Sequence, residues 1–251
     1  MKITIVITVL NSHEVVRRQM EYFRKMDLTD GVEIILVDDG SNPPLNQMCA
    51  GYAGLKNFSI YETNDKRPWT QGLARNKGAS YAKGEFIFFT DIDHIITKEA
   101  IDAVLTFTED KMVFPRYYGI LSEYGDVICD EKSMLEFGLD PKRVRTRRGH
   151  LCGGIHSNTY AIRKSLFDLI GGYDPKLCEQ GFHMGGRFKS EEVRFNSKYN
   201  GLVIKGKASP QVTGPKIYCY PVSKFRADGD NNPFGLFHGL SLEQKPQPNM
   251  E

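Results

Sequence analysis

The chain has 251 residues, of which 40% are hydrophobic and 25% charged, and its formal net charge is +2 at pH 7. This length and balance fit one large folded domain, or one with an appended subdomain, and exclude a disordered chain. A balance so near zero points to no partner by itself, and no apolar run approaches the roughly 20 residues of a membrane span. The five cysteines are odd in number and scattered at positions 49, 129, 152, 178 and 219. Neither His150-x-Cys152 nor the Cys178 to His183 spacing matches a zinc-finger pattern, so free thiols are expected.

The run Met1–Leu10 is short, has no small-residue cleavage site and leads into a charged helical pattern. It reads as a first strand, Ile3–Val9, and not as a leader, and a cytoplasmic protein is expected. His13–Met26 carries Val16, Met20 and Phe23 at helical spacing, with Asn11 or Ser12 as N-cap. Two further near-continuous apolar strands are predicted at Glu33–Val37 and Glu85–Thr90, with helices at Thr70–Lys83 and Lys98–Glu109. Continuous apolarity implies strands buried on both faces, as in a parallel sheet covered by helices. The alternation predicts a doubly wound half over residues 1–110.

Residues 111–240 read as a second half of the same domain. Met112–Tyr118 is a predicted strand, and Gly125-Asp126 turns a hairpin between Tyr118–Ser122 and Val127–Cys129. Gly138 to Gly154 is charged and turn-rich, which predicts a mobile loop. Ser157–Ile162 is a strand, and Arg163–Ile170 is a helix closed by Gly171-Gly172. A further helix, Ser190–Asn200, is expected to stop at Gly201. The polar, proline-bearing tail 241–251 is expected to be disordered.

The most informative stretch is Glu85-Phe86-Ile87-Phe88-Phe89-Thr90-Asp91-Ile92-Asp93, where an apolar strand ends in two aspartates. Ligands collect at the carboxyl ends of strands in open parallel sheets. Residues i and i+2 of an extended chain project to one side, so Asp91 and Asp93 would present paired carboxylates. Hard oxygen ligands so placed suit Mg²⁺ or Mn²⁺ and a phosphate-bearing substrate. Val37-Asp38-Asp39-Gly40-Ser41 ends another strand and suits ribose or base contacts, although alone it reads equally as turn chemistry. Arg75 and Lys77, in Gly72-Leu73-Ala74-Arg75-Asn76-Lys77-Gly78, could meet a diphosphate, although alone they read as an exposed basic helix face.

Taken together and in order, these segments resemble the family 2 glycosyltransferases of the GT-A fold. The likeness runs through Ile5–Asn11, Ile34–Ser41, Gly72–Gly78, Ala82–Ile87 and Asp91-Ile92-Asp93. It resumes at Gly171-Gly172-Tyr173-Asp174 and Ser190-Glu191-Glu192-Val193-Arg194-Phe195. It implies an α/β fold of GT-A type, with a Rossmann-like, mostly parallel sheet flanked by helices and a smaller mixed acceptor-side subdomain. Residues 1–110 would be the donor half and 111–240 the acceptor and catalytic-base half. Thr8 and Asn11 would line the nucleotide pocket, Asp38 would accept from the base N–H, Asp39 would meet the ribose, and Arg75 would sit by the nucleotide or diphosphate. Asp93, supported by Asp91, would hold Mn²⁺ or Mg²⁺ against the diphosphate of the donor, expected to be a UDP-sugar. Members of this type invert by direct displacement, which needs a carboxylate base. Glu191 and Glu192 occupy the family's Glu-Asp pair, with Glu192 preferred as base. The Glu-Glu departure lengthens the second arm by one methylene and leaves the choice open.

A third metal ligand in such enzymes is often a downstream histidine. His150, His156 and His238 are candidates, with His238 preferred in its glycine- and aromatic-rich segment Pro233–Gly239. Trp69 is the only tryptophan and reads evenly as a sugar-stacking platform or a core anchor. The run Lys142-Arg143-Val144-Arg145-Thr146-Arg147-Arg148 is by default a solvated loop. A nucleic-acid acceptor with a hydroxylated base is the sharper reading, beside an acceptor glycan. A haloacid-dehalogenase-type phosphatase also uses Asp-x-Asp, but there the motif lies near the chain start with its acidic pair downstream, whereas here Asp38-Asp39 precedes it. A catalytically inactive nucleotide-sugar-binding protein is the remaining alternative.

Overall fold

The computed structural model describes residues 1–52, 55–65, 71–136, 145–147, 150–178 and 191–221. The chain begins with β1 (Ile3–Val9), α1 (His13–Met26), β2 (Val32–Asp38), α2 (Leu45–Met48), β3 (Phe58–Glu62), α3 (Gln71–Tyr81) and β4 (Phe86–Asp91). It continues with β5 (His94–Ile95), α4 (Lys98–Leu105), β6 (Lys111–Tyr118), a hairpin of β7 (Ile120–Leu121) and β8 (Val127–Ile128), α5 (Glu131–Glu136) and β9 (Arg145–Arg147). Then come β10 (His150–Arg163), α6 (Lys164–Ile170), α7 (Pro175–Cys178), α8 (Glu191–Ile204), β11 (Val212–Thr213) and β12 (Ile217–Cys219).

Among the described residues the main sheet runs β3-β2-β1-β4-β10-β6-β12-β5, with β11 beside β6 and β9 beside β10. The first four strands are parallel, as the continuous apolar runs required. Every residue of β1 and β2 is buried. Alternate residues of β1 serve opposite faces. Ile3, Ile5 and Ile7 pack with Val16, Met20 and Phe23 of α1 and with Ile101 and Val104 of α4. Val6 packs on the other side with Ala74 of α3, Phe167 of α6 and Phe195 of α8. Burying each such side chain contributes about 1.5–3 kcal/mol. The face of α3 toward the sheet is made of small residues. A Cβ at Gly78 would lie 2.4 Å from Val6 Cγ1, so glycine allows this helix to lie close against β1.

β10 pairs antiparallel with both β4 and β6, so the second half of the chain contributes the strand next to the Asp91 strand. The two halves therefore share one continuous sheet. The expectation of a loop over 138–154 is corrected for its described part. Residues 145–147 form β9, paired with the first residues of β10. The turn-rich composition hid a short strand that pairs back locally, Arg147 opposite His150 and Arg145 opposite Cys152. The predicted stop of α8 at Gly201 is also corrected. The helix continues to Ile204, and Gly206, at φ 65°, ends it, with Gly206 N–H donating to Val203 O and Lys207 N–H to Leu202 O. β3 and β12 were not predicted. β3 is half-buried throughout and lacks the continuous apolar run of its neighbours. β12 has three residues and takes its place from pairing with β6 and β5. The tail 241–251 lies outside the described residues.

Candidate functional site

The parallel register brings three predicted residues to one edge of the sheet. Thr8 of β1 lies opposite Val37 on one side and Asp91 on the other, and Val9 lies opposite Asp38. The Thr8 hydroxyl is buried and has no hydrogen-bond partner among the described residues. Asp38 accepts from Ser41 N–H at 2.8 Å and Leu45 N–H at 2.8 Å, so it shapes the loop after β2. Asn11, at φ 49°, donates its N–H to Ser41 Oγ at 2.9 Å and accepts from Asn42 N–H at 2.7 Å. Asp39 accepts from Thr63 Oγ1 at 3.0 Å. These contacts tie the loops after β1, β2 and β3 into one rim. Lys77 points elsewhere, donating to the Glu62 carbonyl at the end of β3.

Arg75 lies at the centre of the cleft and is fully buried. Its Nη2 donates to Asp91 Oδ1 at 2.6 Å, and its Nη1 lies 3.6 Å from Glu192 Oε1 and 3.9 Å from Glu191 Oε1. Among the described residues Nη1 and Nε make no hydrogen bond, so the two glutamates face the guanidinium as ion pairs without a closed bond. Burial works against this charge. Tyr173, whose ring lies 5.4 Å from Arg75 Cζ, and then Asp91, Glu192 and Glu191 outweigh that cost and keep Arg75 protonated. Asp91 also accepts from Gln71 Nε2 at 2.9 Å and Asn158 Nδ2 at 3.2 Å. Burial pushes the Asp91 carboxyl up. Arg75, His94, His156 and Asn158 overcome that and hold it below the usual carboxylate range.

Local sequence explains how Arg75 is held. Gly171 and Gly172 both have positive φ after α6. They turn the chain so that Tyr173 N–H donates to Asn76 Oδ1 at 2.9 Å and Asn76 Nδ2 donates back to Tyr173 O at 2.8 Å. A Cβ at Gly172 would lie 2.5 Å from Asn76 Oδ1. The Gly-Gly-Tyr segment is thus docked on α3 one residue beyond Arg75. Glu191 and Glu192 open α8, where the helix dipole favours carboxylates.

After Asp91 the chain turns at Ile92 and Asp93, so the extended-strand spacing argument ends there. The turn delivers His94 into β5. Across the cleft, β10 is irregular. Ile155 lies opposite Pro115 and Tyr160 opposite Val113, which leaves extra residues in β10 between them. This bulge carries His156 and Asn158 toward Asp91. One ligand atom each from Asp91, His94 and His156 lies within 4.8 Å of the others. A carboxylate and two imidazoles at this spacing fit a divalent transition ion. His94 Nδ1 is hydrogen-bonded to Thr159 Oγ1, the kind of outer contact that orients a ligand ring. Burial first, then Arg116, pushes the His156 pKa down to about 4, which keeps its imidazole neutral at physiological pH.

Of the predicted site residues, Thr8, Asn11, Asp38, Asp39, Arg75, Asp91, Asp93, Glu191 and Glu192 all fall at or beside this cleft. Trp69 and His238 lie outside the described residues. Of the run 142–148, the described part is the backbone of 145–147 in β9, and nothing among the described residues supports contact with nucleic acid. His94, Gln71 and Asn158 were not foreseen. His94 follows Asp91-Ile92-Asp93 directly, and that adjacency was the available signal. Gln71 lies one helical turn before Arg75. Asn158 depends on the β10 bulge and had no local signal.

The family model described as Glycosyl transferase family 2 matches residues 4–169. The chain is 27% identical over 192 residues to Glycosyltransferase GlyG of Streptococcus pneumoniae serotype 4, covering 75% of this chain and 62% of GlyG. The fold resembles that of S. aureus TarS 1-349 in complex with UDP-GlcNAc, with a TM-score of 0.59, 18% identity, and coverage of 88% of this chain and 58% of TarS 1-349. It also resembles the mannosyltransferase PcManGT of Pyrobaculum calidifontis in complex with GDP-Man and Mn²⁺. There the TM-score is 0.53 with 15% identity, covering 87% of this chain and 56% of PcManGT. The fold is thus of the expected GT-A type, and the chain spans about three fifths of the length of these relatives.

Proposed function

The chain belongs to glycosyl transferase family 2, and from that premise we propose that it moves a sugar from a nucleoside-diphosphate sugar to an acceptor hydroxyl on a glycan. One observation carries this reading. The buried Arg75 holds the Asp91 carboxylate at Nη2 and the Glu192 carboxylate near Nη1 of a single guanidinium. Leaving-group chemistry and proton chemistry thereby share one cleft. A UDP-sugar is the first donor to test, since TarS, a neighbour in fold, binds UDP-GlcNAc.

Asp91, His94 and His156 would hold a divalent ion, with Asp93, whose charge also acts on His156, as the remaining carboxylate. When bound, such an ion neutralises charge developing on the departing diphosphate. The rest falls to the chain's own side chains. Thr8 offers its unsatisfied hydroxyl at the nucleotide edge. Asp38 shapes the loop after β2 through Ser41 N–H and Leu45 N–H, and that loop with Asp39 would meet the base and ribose. Glu192, the more exposed of the two glutamates, takes the proton from the acceptor hydroxyl as it attacks the anomeric carbon with inversion. The more buried Glu191 positions donor or acceptor.

The test is a thermal-shift panel of nucleotide sugars with Mn²⁺, followed by assays of Glu192→Gln and Asp93→Ala. A donor at 100 times its Kd raises the unfolding free energy by about 2.7 kcal/mol. Glu192→Gln should lose transfer while keeping donor binding, and Asp93→Ala should lose metal-dependent turnover. No stabilisation by any nucleotide sugar, or full transfer by Glu192→Gln, would overturn the corresponding assignment.

A further inference from the structure

We infer that the Arg116 guanidinium stands in for the divalent cation in the metal-free protein, so that Arg116 and the metal exclude one another at His94. Arg116 lies on β6, between β10 and β12, and reaches back across the cleft. Its Nη1 lies 3.3 Å from His94 Nε2, and its Nε donates to Gly154 O at 3.3 Å.

A guanidinium has donors and no acceptor, so His94 Nε2 must supply the lone pair. The His94 proton is then on Nδ1, donated to Thr159 Oγ1. This is the tautomer a metal ligand needs, with Nε2 open for coordination and the other ring nitrogen fixed by an outer contact. A single lone pair cannot serve Arg116 and a metal at once. His156, the other imidazole of the group, lies edge-on to His94 with ring centroids 5.7 Å apart. A positive group thus sits where the two imidazoles and Asp91 would otherwise gather around a cation.

The ligand class follows from the donors. Two imidazoles with a carboxylate favour a first-row transition ion such as Mn²⁺ over Mg²⁺, which takes oxygen ligands. A guanidinium displaced from His94 at the cleft mouth is a planar donor fork suited to phosphate. Loading of metal and of a nucleoside diphosphate would then be coupled. That coupling rests on the transferase reading, whereas the exclusion at His94 does not.

The experiment measures Mn²⁺ binding to the full chain by electron paramagnetic resonance, without nucleotide, for the wild type, Arg116→Met and His94→Ala. If Arg116 holds Nε2 in about nine-tenths of molecules, its removal should tighten Mn²⁺ binding about tenfold. His94→Ala should weaken it, and Mg²⁺ should compete poorly. A second measurement avoids the variants. Ring-nitrogen NMR of the metal-free wild type should show His94 protonated on Nδ1. Unchanged or weaker Mn²⁺ binding by Arg116→Met, no Mn²⁺ binding by either protein, or a proton on His94 Nε2 would each overturn the inference. Adding UDP separates the two claims. UDP binding without any Arg116 effect on Mn²⁺ sinks the inference and spares the transferase reading. The Arg116 effect without UDP binding does the reverse.

Discussion

Arg75 is a charged side chain with 0% exposure, facing three carboxylates. One positive charge against three negative ones leaves an excess of negative charge around Arg75, which a divalent cation would help to offset. Removing the arginine leaves the carboxylates buried with no counter-charge. Arg75→Met should therefore lower the unfolding free energy by about 3–5 kcal/mol, read by urea denaturation. Arg75→Lys keeps the charge but not the fork that spans Asp91 and Glu192. It should recover part of the stability while transfer stays impaired, and equal transfer by the lysine variant and wild type would argue against a spanning role. The sequence marked Arg75, Asp91 and Glu192 through the ordered motifs of the family resemblance, whereas alone Arg75 read as part of an exposed basic helix face and is in fact fully buried. It could not show that the three meet, because their contacts run between elements far apart in the chain.

The elements around the cleft are set by backbone constraints that the sequence displays unevenly. Gly171 and Gly172 both adopt positive φ, yet among the described residues only Gly172 faces a neighbour, Asn76. Gly171→Ala should cost about 1–2 kcal/mol for its left-handed conformation alone. Gly172→Ala should cost more, because the added methyl also forces Asn76 aside and loosens Tyr173 from α3. Chemical denaturation of the two variants gives the difference, and equal losses would show that the Asn76 contact contributes little. The same glycines were legible in the sequence as a helix stop. The β10 bulge was not. Its residues Ile155 to Tyr160 carry no glycine or proline, and the irregularity is visible only against the register of β6.

At the scale of the whole molecule, one buried cation ties β6 to α8 within the core layer that also holds Tyr160 of β10. Lys111 is 2% exposed, donates to Asn196 Oδ1 of α8 at 2.6 Å, and lies 4.5 Å from the Tyr199 ring centre and 4.8 Å from that of Tyr160. Burial pushes its pKa down to about 8 from the ordinary 10.5. Between those values the unfolded chain binds the proton more tightly than the folded one. Stability from this group therefore rises with pH, by up to about 1.4 kcal/mol per pH unit, starting near pH 8. Burial raises the pKa values of Tyr160, Tyr173 and Tyr199, which act in the opposite sense only above about pH 10. Denaturation between pH 7.5 and about 9.5 should show the rise, and Lys111→Met should flatten it. A wild-type curve already flat in that window would contradict a buried, strained charge at Lys111.

By itself the sequence determined the parallel half-sheet, the helices on it and the residue types that gather at the strand ends. Continuous apolar strands can be buried only between two layers, and carboxylates at their ends must meet a partner. Only the tertiary structure decided that Arg75 joins Asp91 to the start of α8, that β10 threads between β4 and β6, and that His94, His156 and Arg116 converge across the cleft. Those are contacts between residues 16 to more than 100 positions apart. They depend on strand register and on a bulge, and neither leaves a mark in local composition.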